Sequence, residues 1–93
     1  MSYLQTHFWP GGTEAQYEAM IAAVHPESGL PAGQRSHVAG PTEGGYLISV
    51  VWDSRQDSET FMRDELMAAM PVQGGFEGRP EEHTADVVHD EAA

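Results

Sequence analysis

Histidine and tyrosine are the residues of this sequence best suited to proton transfer, because it has no cysteine and only four basic residues besides its five histidines. His25 lies beside Pro26 at the end of a predicted helix, and His83 and His89 bracket the last predicted strand. His7 is most simply an interface residue, and only His37, in RSHVAG, lies in the middle of a strand whose inner face could look into a pocket between helices and sheet. His37 is therefore the candidate catalytic residue, either as a general base or as a hydrogen-bond donor to a ligand. The alternative is a partly exposed strand histidine without a role.

Strand parity leaves the direction of His37 open. In a regular strand Arg35, His37 and Ala39 point to one side and Ser36 and Val38 to the other. A pocket-facing Arg35 would need an anionic partner, which argues against placing this side of the strand in an apolar pocket.

His7 and Trp9 form a second candidate pair on the alternating, aromatic-rich segment SYLQTHFW, which predicts a first strand. Both project from one face of that strand. They could line a cavity and bind an aromatic ligand by stacking and hydrogen bonding. We favour a dimer interface instead, since aromatic residues are enriched at interfaces.

Candidate substrate-binding side chains lie on the third predicted strand and the second predicted helix. Tyr46 begins that strand and could donate a proton, and Trp52 lies near its end. Phe61 and Met62 belong to the apolar face of the helix. Each of these four residues is also typical of an ordinary core.

The sequence does not predict a metal site or a bound cofactor. His83 and His89 are six residues apart on one predicted strand, about 20 Å along it, and no His-x-His or Glu-x-x-His pattern occurs. No glycine-rich phosphate loop follows a strand, and no serine lies in a nucleophile-elbow context.

The charge of the chain restricts its partners. Fifteen acidic and four basic residues give a formal net charge of −11, so nucleic acid and anionic membrane surfaces are not expected partners. No apolar run is long enough for a membrane helix, and the N-terminal segment does not resemble a signal peptide. We expect a cytoplasmic protein.

The elements that position these residues follow the order βαββαβ. Thr13 and Gln16 form a capping box for a first helix that runs to about residue 25, and Ser54 caps a second helix with Asp57 at its third position. A short turn joins the second and third strands as a hairpin. The predicted strands cover residues 2–9, 34–40, 46–53 and 83–89.

This order predicts one α+β domain over residues 1–93 with the ferredoxin-like fold, an antiparallel sheet that carries two helices on one face. A chain of 93 residues buries little core by itself, and it has no disulfide to compensate. We therefore expect a homodimer that covers the open sheet face and completes a dimeric α/β barrel.

Two segments, HFWPGGTEAQYEAM and VVWDSRQDSETFMRDEL, resemble the dimeric α/β-barrel superfamily, in particular its antibiotic-biosynthesis-monooxygenase-like branch. The resemblance covers most of residues 3–89 and implies a pocket between sheet and helices in each subunit. Several family members oxidise aromatic polyketides with O₂ and without metal or flavin. Haem-degrading members carry an Asn on the first strand and a Trp in the second helix, both of which are missing here.

Two functions remain open from the sequence. One is an enzyme that performs cofactor-independent oxygenase or acid/base chemistry on an aromatic or polyketide-like substrate. The other is a non-catalytic ligand-binding or interaction homodimer. An open apolar pocket onto which His37 and one further polar group converge would favour the enzyme, and a filled core would favour the binder.

Overall fold

The structure, a computed structural model, describes residues 1–24, 29–66 and 74–91. Its four strands form one antiparallel sheet in the order β2-β3-β1-β4. The α+β ferredoxin-like fold is confirmed. The elements are β1 (Tyr3–Pro10), α1 (Glu14–Val24), β2 (Gln34–Thr42), β3 (Gly45–Trp52), α2 (Arg55–Phe61), a π-helical continuation of α2 (Met62–Leu66) and β4 (Glu81–Asp86).

Both helices begin where their capping residues predict. The Thr13 backbone N–H donates to Gln16 Oε1 at 3.0 Å, and the Gln16 N–H donates back to Thr13 Oγ1 at 3.3 Å. Ser54 Oγ accepts from the Asp57 N–H at 3.2 Å. These bonds satisfy backbone donors that have no partner within the helix, so each helix starts at a fixed residue.

The two faces of the sheet differ in what covers them. Odd-numbered residues of β1 and even-numbered residues of β3 face the helices, where Trp9, Met20, Tyr46 and Phe76 form the buried core cluster. The other face carries apolar side chains that no described element covers. Examples are Leu47 and Val38, which are 41% and 65% exposed.

A β-bulge interrupts β2 near its start. Gln34 pairs with Trp52 of β3, whereas Ser36 already pairs with the next residue, Val51. Arg35 is therefore an extra residue in the strand. The side chains of Gln34 and His37 consequently share the helix-facing side, although regular alternation would place them on opposite sides.

The fourth strand lies closer to the N-terminus than its predicted range, 83–89. Its pairing with β1 runs from Phe8↔Glu81 to Tyr3↔Asp86 and ends there because β1 begins at Tyr3. His89 therefore lies beyond the strand, and the prediction that it shares a strand face with His83 was wrong. The sequence pattern also predicts that the second helix continues to about residue 70, but that part of the chain and His25 lie outside the described residues. Among the described helices, none is long and apolar enough to cross a membrane.

Candidate active site

A cavity of about 280 Å³ lies between the helix-facing side of the sheet and the helices. Its wall is mainly apolar and aromatic, with a few polar side chains from several elements. Cavities of this kind typically bind small molecules. The described lining residues are Gln5, His7, Trp9, Tyr17, Met20, Ile21, Gln34, His37, Ile48, Val50, Trp52, Phe61, Met62, Gly78, Pro80 and Glu82.

A hydrogen-bonded chain of three side chains forms one part of this wall. Tyr17 Oη lies 2.6 Å from His37 Nε2, and His37 Nδ1 lies 3.0 Å from Gln34 Oε1. The amide oxygen of Gln34 can only accept, so Nδ1 carries the imidazole proton. The unprotonated Nε2 then accepts from the Tyr17 hydroxyl.

The environment of Tyr17 keeps its hydroxyl protonated. Burial raises the pKa of the Tyr17 phenol, and the neighbouring Tyr46, whose ring stacks on it at 5.1 Å, raises it further. Burial also raises the pKa of Tyr46, with smaller contributions from Glu14 and Glu18. Because the O–H of Tyr17 points to His37, the lone pairs of Tyr17 Oη can accept a hydrogen bond from a ligand hydroxyl. The pair can thus relay a proton from a ligand hydroxyl to an imidazole.

The bulge in β2 removes the argument against a pocket-facing His37. Arg35 lies outside the cavity, where its guanidinium donates to Ser2 Oγ at 2.7 Å and pairs with Asp53 at 3.6 Å. No arginine of the described chain lines the cavity. The described wall thus favours ligands without a strong negative charge.

A second polar cluster lies around Gln5, which is only 4% exposed. Gln5 Oε1 accepts from Trp52 Nε1 at 3.1 Å and from Ser58 Oγ at 3.2 Å. Gln5 Nε2 donates to Glu82 Oε2 at 3.3 Å, and the same oxygen lies 2.6 Å from His7 Nε2. These hydrogen bonds therefore hold the polar side chains of the cluster in fixed positions within a mainly apolar wall.

Solved structures with this architecture cover almost the whole chain. A protein from Chloroflexus aurantiacus J-10-fl, provisionally assigned as an antibiotic biosynthesis monooxygenase, is 20% identical to this chain. Its TM-score is 0.65, and the match covers 99% of this chain and 98% of that one. Rv0793 from Mycobacterium tuberculosis is 16% identical, with a TM-score of 0.66 and the same coverage. A variant of SnoaB, a cofactor-independent oxygenase from Streptomyces nogalater, is 14% identical, with a TM-score of 0.63 and coverage of 96% and 94%.

The chain has the antibiotic-biosynthesis-monooxygenase-like fold. No protein-family model matches the sequence. No curated protein matches it significantly.

Within this antibiotic-biosynthesis-monooxygenase-like fold, three of the four residues predicted to bind substrate line the cavity. Trp52 is 1% exposed and packs against Phe61 with ring centroids 5.3 Å apart, and Met62 begins the π-helical segment beside them. Tyr46 is not part of the described lining. It lies in the buried core cluster, behind the lining residues Trp9, Met20 and Tyr17. Their roles in binding stay predictions.

His7 and Trp9, predicted to lie at a dimer interface, face the helices and line the cavity. Trp9 is 7% exposed in the single chain and stacks on Phe76 at 4.8 Å. The alternation of β1 was predicted correctly. The sequence did not show which of its two aromatic faces is directed away from the helices. The outward face carries Leu4, Thr6 and Phe8. An interface role for His7 and Trp9 stays a prediction, and their position supports the cavity-lining alternative.

Several polar residues of the site were not predicted from the sequence. For Tyr17 the available signal was a hydroxyl on the stripe of the first helix that also carries the apolar residues Met20 and Ile21. Gln5 gave a similar signal, as a polar side chain on the aromatic face of β1. Gln34 and Glu82 gave none, because their positions depend on the bulge and on the pairing of β4 with β1. In the described ranges no three metal-ligating side chains come together.

Proposed function

We propose that the chain is an enzyme that deprotonates a hydroxylated aromatic, polyketide-like substrate in the cavity and oxidises it with O₂ without a metal or an organic cofactor. The observation that carries the proposal is the 2.6 Å hydrogen bond between Tyr17 and His37 in the wall of a largely apolar cavity. A neutral imidazole paired with a phenol is a suitable general-base system for an acidic hydroxyl.

The proton path follows from the hydrogen-bond directions. A substrate hydroxyl donates to Tyr17 Oη, the Tyr17 proton passes to His37 Nε2, and Gln34 Oε1 holds His37 Nδ1–H in place. The substrate becomes an electron-rich aryloxide. Conjugation spreads its negative charge over the fused rings, and the mainly apolar wall excludes water that would otherwise screen this charge.

The oxidation is balanced with O₂ as the only oxidant. For 1-naphthol, the anion reduces O₂ and forms a C–O bond at the ring carbon para to the hydroxyl, which gives a hydroperoxide once His37 returns its proton. Loss of the ring C–H proton to His37 and cleavage of the O–O bond then give 1,4-naphthoquinone and hydroxide. The imidazolium protonates the hydroxide, so naphthol and O₂ yield quinone and water.

The size of the cavity suits this substrate class. A cavity of roughly 150 Å³ holds one benzene ring. The present cavity of about 280 Å³ is nearly twice as large and therefore suits two fused rings. The likeness of the fold to SnoaB, a cofactor-independent oxygenase, supports the same class of reaction.

The proposal is tested with phenol, 1-naphthol and 9-phenanthrol as one-, two- and three-ring substrates. The protein is first treated with a metal chelator. We then expect 1-naphthol to cause oxygen uptake above the uncatalysed rate, measured with an oxygen electrode. One molecule of quinone should form per O₂ consumed, measured by absorbance. Binding of these compounds without oxygen uptake would overturn the enzymatic proposal in favour of the ligand-binding dimer. If the compounds neither bind nor cause oxygen uptake, both the enzyme and the ligand-binding alternative are overturned.

We also propose that the open sheet face pairs two copies of the chain. It carries exposed Leu47 and Val38 beside Leu4 and Phe8, in a chain whose own core is small. Sedimentation at micromolar concentration is expected to give twice the 10.1 kDa chain mass. Leu47→Glu should shift the protein toward the monomer, because it buries two carboxylates in the apolar contact.

Val88→Glu is the matched control for this experiment. Val88 is 88% exposed and lies beyond β4, so the same change of charge there should leave the mass unchanged. A 10 kDa species for the unmodified protein would contradict the dimer.

A further inference from the structure

We propose that His7 and Glu82 form a second ligand-binding group at the mouth of the cavity, and that the substrate is a neutral fused-ring aromatic with a hydroxyl at each end. This inference rests on the proposed function, since it assumes that the first hydroxyl of the ligand binds at Tyr17 and His37. It adds a second recognition site and narrows the substrate class.

The pair is held in place by the sheet. His7 and Glu82 are direct cross-strand partners of β1 and β4, and their side chains meet at 2.6 Å. Gln5 Nε2 donates to the same carboxylate oxygen, and Gln5 is itself fixed by Trp52 and Ser58. A surface carboxylate held by two side-chain donors has lost most of its rotamer freedom. The contact is therefore preorganised before any ligand binds.

The hydrogen bond to Glu82 determines which nitrogen of His7 is free for a ligand. A carboxylate only accepts, so Nε2 carries a proton, and in the neutral imidazole Nδ1 presents a lone pair. Among the described residues no hydrogen bond reaches His7 Nδ1. Every fully buried side-chain nitrogen or oxygen of these residues has a hydrogen-bond partner. His7 Nδ1, which has none, is therefore accessible to a ligand. With the ring in the cavity wall, Nδ1 suits a ligand O–H donor.

The two polar groups lie on opposite sides of an apolar floor. His37 is on β2 and His7 on β1, with Ile48 and Val50 of β3 between them. Two strand spacings place the two histidine backbones roughly 10 Å apart across the sheet. A planar ring system lying over β3 can therefore direct one hydroxyl to Tyr17 beside His37 and the other to His7.

Glu82 also marks the entrance. Its side chain is 45% exposed, and an adjoining surface groove shares Gln5, Met62 and Glu82 with the cavity. Arg55 and Arg63 line that groove, but each is paired with a neighbouring carboxylate, and no described arginine lines the cavity itself. The carboxylate of Glu82 therefore repels anionic ligands at this entrance. The charge of the entrance thus favours a neutral diol over a carboxylated ring.

The test compares three ligands by isothermal titration calorimetry: 1-naphthol, 1,5-dihydroxynaphthalene and 5-methoxy-1-naphthol. The diol is expected to bind about tenfold more tightly than 1-naphthol, the size of effect that one added hydrogen bond gives. The methoxy compound has the second oxygen but no proton to donate, so it should gain less than twofold. The dissociation constant of 1-naphthol divided by that of the diol should fall from about ten to below about two in His7→Phe and in Glu82→Gln.

Glu81→Gln is the matched control, because Glu81 is the neighbouring strand residue with an exposed side chain and pairs with Phe8 on the other face. It should keep the tenfold ratio. Equal binding of naphthol and diol by the unmodified protein would overturn the second binding group. In that case His37-dependent binding of 1-naphthol would leave the proposed function intact. If none of the ligands binds, both proposals fail.

Discussion

Replacing His37 by glutamine is expected to lower the rate of 1-naphthol oxidation by about 10²–10⁴-fold, the usual contribution of a positioned general base. Glutamine can still bond to Gln34 or Tyr17, but it cannot take up a proton near neutral pH. The Tyr17 hydroxyl then has no base to which it can transfer its proton, since His37 Nε2 is the group 2.6 Å from it. Turnover should fall while the melting temperature changes by no more than a few degrees.

Three further variants separate catalysis from folding. Tyr17→Phe keeps the ring that stacks on Tyr46 but removes the proton relay, so it should reduce turnover to a similar extent. His37→Ala leaves space beside the cavity, and added imidazole should restore part of its activity, which a structural role would not predict. His83→Gln, on an exposed position of β4, is the matched control and should behave as the unmodified protein. Full activity of His37→Gln at unchanged stability would remove His37 from the mechanism.

Local sequence signals predicted the elements because their causes are local. Ser54 and Asp57 lie three residues apart, and so do Thr13 and Gln16, so each cap is specified within a single helical turn. The order of elements then predicted the ferredoxin-like sheet. His37 was predicted as the central candidate from its place in β2, and it lies in the cavity wall.

What the sequence could not predict depends on contacts between distant residues. Arg35 is excluded from the cavity by a bulge that exists only because β2 pairs with β3 in a shifted register. Glu82 meets His7 across 75 positions of the sequence. The orientation of β1 was ambiguous because both of its faces carry aromatic residues, so period-2 alternation alone could not show which face the helices cover.

Replacing Trp52 by alanine is expected to have the largest effect on stability, a loss of about 3–5 kcal/mol in the free energy of unfolding. Trp52 is 1% exposed, and its ring packs against Phe61 at the junction of β3 and α2. The substitution also removes the indole N–H that donates to Gln5 Oε1. Against a typical total of roughly 5–15 kcal/mol, this loss removes a large share of the stability of the protein.

Trp52→Phe divides this effect into its two parts. Phenylalanine keeps much of the ring volume and loses the N–H, while Gln5 Oε1 still accepts from Ser58, so the cost should lie near 1–2 kcal/mol. Urea denaturation at a fixed protein concentration measures both variants, because an associated chain would make the midpoint depend on concentration. Val88→Ala, at an 88% exposed position, should change the free energy of unfolding by less than about 0.5 kcal/mol, as is usual for surface sites. A loss below about 1 kcal/mol for Trp52→Ala would mean that the packing of Trp52 against Phe61 does not hold the cavity wall together, since truncating a fully buried indole cannot otherwise cost so little.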